Sequence, residues 1–159
     1  MKTFLDMHGR IWTISLTIEA AKRVRALLNV DLLAPEAGEP PLLTRLGIDA
    51  ILLCDVIFAL VKPQADKAGI SDIEFGESLG GESVLQARQA FNEEYVSFFK
   101  ALGRADLEQM ILAQMQLMEM AVRAAEAKMK NLNLPEVLAS IDGASSMSSP
   151  VSSELTQGR

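Results

Sequence analysis

The stretch that decides the fold lies between residues 107 and 130 and reads LEQMILAQMQLMEMAVRAAEAKMK. Apolar residues recur in it every three or four positions, the spacing typical of an amphipathic α-helix. They form two neighbouring stripes that together cover about half of the helix circumference. The first stripe contains Ile111, Met115, Met118, Val122, Ala125 and Met129, and the second contains Met110, Ala113, Leu117, Met120, Ala124 and Ala127.

A methionine-rich apolar surface of this width has to be covered by other apolar groups. One interpretation buries the helix in the protein's own bundle, for which a single stripe is enough. The other leaves the second stripe to bind another chain, and methionine suits that role because its unbranched side chain adapts to varied partners. The sequence leaves both interpretations open.

The composition indicates a helical protein with one core. Of the 159 residues 49% are hydrophobic and only 5% are aromatic, a mixture that favours helix over sheet. We expect a mainly α fold, in which a short N-terminal β-hairpin precedes a multi-helix bundle with a long C-terminal amphipathic helix. Residues 1–142 are predicted to form one folded domain, with the hairpin in residues 1–16 and helices in residues 17–142. The serine-rich residues 143–159 are predicted to be disordered, because they cannot bury enough apolar surface.

The first residues have the pattern of a β-hairpin. Residues 3–5 are a short extended run, and residues 6–9 supply turn chemistry, with Gly9 free to adopt a positive φ. The strand that follows, over residues 10–16, alternates so that one face carries Trp12, Ile14 and Leu16. Because two strands are marginal by themselves, this face must pack on helices or the strands must pair with another chain.

Capping residues and prolines mark the first helices. Thr17 is predicted to cap a helix that ends at Asn29 and buries the stripe Ile18, Ala21, Val24 and Leu28. Pro41 is predicted to open a short helix. A buried helix follows over residues 48–61, ended or kinked at Pro63, with a further turn closed at Gly69.

The second half of the chain carries two more capping signals. The capping boxes Ser71–Glu74 and Ser83–Gln86 each predict a helix start. The second of these helices has the core stripe Val84, Ala87, Phe91, Tyr95, Phe98 and Leu102. Asp106 is predicted to cap the methionine-rich helix, whose wet side carries the pairs Glu119–Arg123 and Glu126–Lys130. Finally, Pro135 is predicted to open a short helix that runs through Ile141.

The residues that could carry chemistry are few and scattered. The only histidine, His8, lies in the predicted turn, and the only cysteine, Cys54, lies in the predicted buried helix. Neither a zinc site nor an activated nucleophile can be assembled from them. Asp55 is expected to form a structural ion pair, with Arg45, or to bind a capping amide. We therefore expect no enzymatic activity, no metal and no cofactor.

Charge and hydropathy argue against two classes of partner. A net charge of −6 is a poor match for a phosphate backbone, so no nucleic acid is expected. The most apolar run, residues 48–61, is shorter than the roughly 20 residues that span a bilayer, so no membrane is expected.

Glu93 and Glu94 diverge by about 100° on a helix and are expected to be solvated. A single thiol suits a reducing cytoplasm.

Four segments resemble small phage and prophage proteins that are encoded among tail genes. They are the pattern Phe4-x-Asp6-x-x-Gly9-Arg10-x-Trp12, then KRVRALLNVDLL at residues 22–33, LLCDV at 52–56 and KPQAD at 62–66. The resemblance spans the first two thirds of the chain and is strongest to the tail assembly chaperones of long-tailed phages.

The resemblance implies a non-enzymatic chaperone in the bacterial host cytoplasm. Such chaperones are thought to coat the helical tape-measure protein before tube subunits polymerise around it, and many are also made in a frameshifted long form. The implied partners are the tape-measure protein and the tail tube protein, with the chain acting as a homo-oligomer. On this interpretation the partner-binding residues lie on the methionine-rich helix and are Met110, Met115, Leu117, Met118 and Met120.

The alternative is a structural virion protein, such as a connector or a minor tail component. In that case the N-terminal hairpin would be the assembly element, because an exposed strand can pair with a neighbouring chain. The two functions therefore predict different binding surfaces, the methionine-rich helix and the hairpin.

Overall fold

The computed structural model describes residues 1–132 and 138–140. This part of the chain is mainly helical and begins with a two-stranded antiparallel hairpin, which confirms the predicted fold class. Its elements, in chain order, are β1 (Lys2–Leu5), β2 (Ile11–Ile14), α1 (Ile18–Leu28), α2 (Leu42–Ile48), α3 (Ala50–Ala68), α4 (Asp72–Glu77), α5 (Glu82–Ala101) and α6 (Ala105–Asn131).

The chain divides into two compact units, Met1–Met118 and Glu119–Arg159, so that α6 has residues in both. The helix predicted from Pro135 to Ile141 is described only at residues 138–140, which are helical. The predicted disordered tail at residues 143–159 lies outside the described residues.

The hairpin pairs Phe4 with Trp12 across its two strands. Phe4, Trp12 and Ile14 are buried, as is Leu16 just beyond β2, so the predicted inner face is confirmed. Gly9 has a φ of 75°, a value that glycine adopts without strain. Because β1 packs on α5 and β2 on α3, the two strands draw their stability from helices of the same unit.

A single carboxylate organises the turn of the hairpin. The side chain of Asp6 accepts hydrogen bonds from the amides of His8 and Arg10, both at 2.9 Å, and from the Trp12 indole at 3.0 Å. These contacts give a structural reason for the spacing Phe4-x-Asp6-x-x-Gly9-Arg10-x-Trp12. The aspartate satisfies donors two, four and six residues further along the chain.

The caps of α1 are confirmed, but one end of its predicted stripe is wrong. The Thr17 hydroxyl accepts from the amide of Ala20, and Asn29 ends the helix in the left-handed region. Ala20, Ala21 and Val24 are the buried residues of the helix, whereas Ile18 is exposed. As the first residue of the helix, Ile18 lies beyond the packing contact with α3 that covers the later turns.

The predicted buried helix over residues 48–61 begins later than expected and continues past Pro63. Ile48 ends α2 and is exposed, and Asp49 caps α3 by accepting from the amide of Leu52. The helix does not end at Pro63 but runs to Ala68, and the predicted closure at Gly69 is confirmed. Tertiary contacts hold the turn after the proline in place, since Ala65 is fully buried there.

The capping box at Ser71 and Glu74 is confirmed, with both of its reciprocal hydrogen bonds present. The second predicted box is wrong, because Gly81 is the N-cap of α5 and Ser83 lies inside the helix. The Ser83 hydroxyl instead exchanges hydrogen bonds with the backbone of Gly80. Gly81 takes a φ of 53°, so the tight glycine turn supplies the start that the serine was predicted to supply.

Helix α5 supplies three of the large aromatic side chains of the core, those of Phe91, Tyr95 and Phe99. Phe91 and Tyr95 are buried as predicted, and the Tyr95 hydroxyl donates to the carbonyl of Leu32 at 2.6 Å. The predicted stripe fails at its end, where Phe99 is fully buried, Phe98 is only partly buried against the core and Leu102 is exposed. The 18 residues from Val84 to Leu102 make five full turns of an α-helix, so the difference does not come from a change of register.

Candidate partner-binding helix

The first half of α6 is anchored in the first unit by the first of the two predicted stripes. Leu107 and Ile111 are fully buried, and Met115 packs on the same core. Met118 is partly buried over Gly47, where its sulfur would lie only 2.8 Å from an added Cβ. Gly47 therefore makes room for this methionine at the end of α2.

The helix starts two residues earlier than predicted, at Ala105. Asp106 therefore lies in the first turn, not at the cap. Its carboxylate forms a two-point pair with the guanidinium of Arg104, at 2.9 and 2.7 Å. Hydrogen bonding from Arg104 lowers the pKa of Asp106 to about 2, and the negative charge faces the positive end of the helix.

The second predicted stripe is exposed to solvent. In the first unit, the exposed fraction of Leu117 is 61%, and Met110 is exposed as well. In the second unit Met120 is 65% exposed. Val122 and Met129, which belong to the first stripe, are also exposed there, so in this unit apolar side chains are uncovered on both sides of the helix.

Helix geometry explains why the two stripes differ. With a turn of about 100° per residue, the centres of the two stripes lie about 150° apart on the helix. They are thus on nearly opposite sides, and the expectation of two neighbouring stripes is wrong. The core that buries Ile111 cannot reach the side that carries Leu117.

The structure separates the five predicted partner-binding residues into two groups. Met115 and Met118 are partly buried in the first unit, so most of their surface is already in contact with it. Met110, Leu117 and Met120 are exposed and available for binding. Val122 and Met129 are exposed as well, but they belong to the other stripe, face away from these three residues and were not among the predicted binding residues.

A narrow polar strip separates the stripes on one side of α6. Glu119 and Arg123 form the predicted ion pair there, and both side chains are mostly exposed. Exposed pairs of this kind add little stability. The pair keeps one side of the helix hydrated and confines the apolar surface to the remainder.

The single cysteine has the character of a core residue. Cys54 is half-buried in α3, and burial raises the pKa of its thiol, with a further contribution from the charge of Asp55. A raised pKa keeps the thiol protonated and poorly nucleophilic. His8 lies in the exposed hairpin turn, as predicted.

The ion pair predicted for Asp55 does not form. Among the described residues Asp55 has no hydrogen bond and no ion pair, and its pKa is raised by burial and by the charges of Asp72 and Asp49. Asp55 points from the partly exposed side of α3, where water can solvate it and no partner is required. The capping amide is taken by Asp49 instead.

Glu94 differs from expectation, because it is buried and not solvated. Its carboxylate accepts from the amide of Leu16 at 2.9 Å and from the amine of Met1 at 2.5 Å. Its neighbour Glu93 remains half-exposed and pairs with Lys2 at 3.3 Å. The partners of Glu94 lie about 80 residues away in sequence, so no local pattern could have identified them.

The described part of the chain holds no group of three or more His, Cys, Asp and Glu side chains placed to bind a metal ion. Within the same residues, no helix combines the length and the apolar character needed to cross a membrane.

No family model matches the chain, and no curated protein or solved structure shows significant similarity to it.

Proposed function

We propose that this protein is a non-enzymatic tail assembly chaperone that binds apolar helical segments of a tape-measure protein. The observation that carries the proposal is the exposed second stripe of α6, in which Leu117 is 61% and Met120 is 65% exposed. The sequence resemblance supplies the identity of the partner, and the surface supplies a means of binding it.

The spacing of the exposed residues favours a helical partner. Met110, Ala113, Leu117, Met120, Ala124 and Ala127 alternate steps of three and four residues, the heptad spacing with which two helices pack side by side. Alanine at three of these positions lets a second helix approach closely. An amphipathic helix laid along this stripe would have its apolar side covered by methionine and leucine side chains.

The methionines favour a partner that offers many different apolar segments. A tape-measure protein would offer many different apolar turns along its length. Flexible thioether side chains can repack against each of them at little cost. In this proposal the chaperone acts in the bacterial host cytoplasm, and the serine-rich tail at residues 143–159 recruits the tail tube protein.

Co-expression with the tape-measure protein tests the proposal. We expect the wild-type chain to keep the tape-measure protein in the soluble fraction. The variants Leu117→Glu and Met120→Glu should each lower the soluble amount about tenfold, as expected when a hot-spot residue worth 1–2 kcal/mol is lost.

The matched control is Gln116→Glu, which adds the same negative charge to the same helix at an exposed position on its polar side. It should leave the soluble amount unchanged. The proposal fails if the tape-measure protein is equally insoluble with and without the wild-type chain, or if all three variants behave alike.

A structural virion protein is the second candidate. The observation in its favour is an exposed apolar pair on the hairpin, Leu5 opposite Ile11, of which Ile11 is 69% exposed. Such a pair would suit assembly through strands. Detection of the protein in purified particles would support this function over that of a chaperone, which leaves before maturation.

A further inference from the structure

The hairpin has two outer edges, and the outer edge of β2 is covered by a side chain. The side chain of Gln64, on α3, accepts from the amide of Thr13 at 3.0 Å and donates to the carbonyl of Thr13 at 2.6 Å. The glutamine amide thus occupies the outer edge of β2 in the way that a third strand would. Another chain cannot pair there without displacing it.

The outer edge of β1 is open at Thr3 and Leu5. The amide of Asp6 donates to the carbonyl of Arg10 at 3.1 Å. This bond shows which residues of β1 direct their backbone groups toward β2, namely Phe4 and Lys2. In an antiparallel pair alternate residues face outward, so the backbone groups of Thr3 and Leu5 point away from β2. Within the described residues these four groups take part in no hydrogen bond.

The unpaired part of the β1 edge ends before Met7. The next outward-facing position, Met7, donates its amide to the carbonyl of Ser78 at 2.9 Å and is closed. The free edge is therefore short, with two amides and two carbonyls. A strand edge of this length suits a specific short pairing better than the addition of an indefinite series of strands.

There is room for a strand beside this edge. Two open grooves, of about 390 and 290 Å³, lie along β1, and both are lined by Thr3 and by Gln86 of α5. The lining of the larger groove is mostly polar and includes Gln89, whereas Phe4, Leu5 and Ile11 line the smaller one. On the outer face of the hairpin, Leu5 is 45% exposed and would gain cover from a neighbouring strand.

The charges beside the edge allow a second copy to approach. Lys2 and Glu93 are the charged side chains that line the larger groove, and they pair with each other at 3.3 Å. The groove is therefore close to neutral. Two copies brought edge to edge would not repel each other, and each lysine would face a region that also holds a glutamate.

We propose that two copies of this chain associate through the outer edges of β1. An antiparallel arrangement about a two-fold axis at Phe4 places Thr3 of one copy opposite Leu5 of the other. Both amides and both carbonyls of each edge are then satisfied by four hydrogen bonds, which produces one four-stranded sheet. Self-complementary two-fold contacts of this kind are the commonest in homo-oligomers, and this one does not depend on the proposed function of α6.

Sedimentation velocity of the full-length chain tests the association. The experiment uses the Leu117→Glu, Met120→Glu double variant as its background, so that association through α6 does not contribute. We expect this background to sediment as a dimer of the 17.3 kDa chain at micromolar concentrations. Thr3→Pro removes the outward amide and should weaken the dimer at least tenfold, because proline cannot donate and is tolerated only at strand edges.

The matched control, Thr3→Val, keeps the amide and the β-branched shape, and it should remain dimeric. If Thr3→Pro loses its helical circular dichroism, Leu5→Lys replaces it, since it retains the fold and puts like charges next to each other in the dimer. A background protein that is monomeric up to about 200 μM would overturn the proposal. So would a dimer that persists unchanged when the folded edge variant is examined.

Discussion

The carboxylate of Asp6 is enclosed in the hairpin, where it accepts from two amides and one indole and has the Arg10 guanidinium 3.4 Å away. Burial by itself raises the pKa of a carboxyl group. The hydrogen bonds from Trp12, Arg10 and His8 and the charge of Arg10 outweigh it and lower the pKa of Asp6 below 3.8. The ionised form is therefore the one that stabilises the fold.

Substitution of Asp6 should destabilise the protein in a graded way. Asp6→Ala leaves three donors without their acceptor and should cost about 3 kcal/mol in the free energy of unfolding. Asp6→Asn retains one oxygen for the two amides but turns a donor toward the Trp12 indole, and it should cost about half as much. Urea unfolding at pH 7 measures both values, and equal losses for the two variants would contradict this account.

The lowered pKa of Asp6 predicts that the free energy of unfolding depends on pH. Because the folded-state pKa of Asp6 is lowered, its contribution is complete above the ordinary value of 3.8 and is lost as the pH falls below it. Between pH 6 and pH 3 the wild-type urea midpoint should therefore fall more steeply than that of Asp6→Asn. Parallel curves would show that the charge of Asp6 adds nothing.

The helices show which features of this fold depend only on residues that are close in sequence. The caps at Thr17, Asn29 and Ser71 were predictable, because each depends on residues within one turn of it. The start of α3 is equally local, since Asp49 caps the helix by accepting from the amide of Leu52; the prediction missed it by following the apolar run back to Ile48. The core stripe of α5 failed at Phe98 for a different reason, because the contacting elements decide which of two adjacent phenylalanines is more deeply buried.

Gln64 illustrates a contact that no periodic pattern could have predicted. It binds Thr13, which lies 51 residues away, and it does so beyond a proline that was expected to end or kink its helix. The outer edge of β2 thus depends on a residue distant in sequence. Gln64 lies in the segment KPQAD of the sequence resemblance and has a structural role here in protecting β2.

Removal of the Gln64 side chain should open the second edge of the hairpin. Gln64→Ala leaves the amide and carbonyl of Thr13 unpaired and should cost about 1–2 kcal/mol in the free energy of unfolding. With two open edges per chain, pairing no longer stops at two copies, so we expect species larger than a dimer. Sedimentation velocity measures their size.

The control for this prediction is the double variant Gln64→Ala, Thr3→Pro, which has one open edge and should form no larger species than a dimer. If Gln64→Ala sediments as the wild type does, the glutamine does not protect the edge.

At the scale of the whole molecule, burial stops within α6. Every fully buried apolar side chain of the described residues lies at or before Ile111, although the apolar spacing of the helix continues unchanged to Met129. The sequence could predict a helix with more apolar surface than one contact needs. It could not predict which stripe is covered, because Leu43, Leu46 and the other residues near Met115 come from distant elements.

A chain shortened to residues 1–121 should therefore keep its fold. It retains the whole first unit, Met1–Met118, and removes only residues that are exposed in the described part of the second unit. Surface changes of this kind alter the free energy of unfolding by less than about 0.5 kcal/mol, so the urea midpoint should stay at the wild-type value.

A point substitution in the anchored half, Ile111→Ala, should instead cost about 2–5 kcal/mol in the free energy of unfolding, as expected for a truncated core residue. The shortened chain has lost the end of the second stripe, Ala124 and Ala127, and should keep less tape-measure protein soluble than the full-length chain, although its unfolding is unchanged. A large fall in the urea midpoint of the shortened chain would mean that the exposed half of α6 belongs to the stable core, and the surface offered for binding would then be smaller than its exposure indicates.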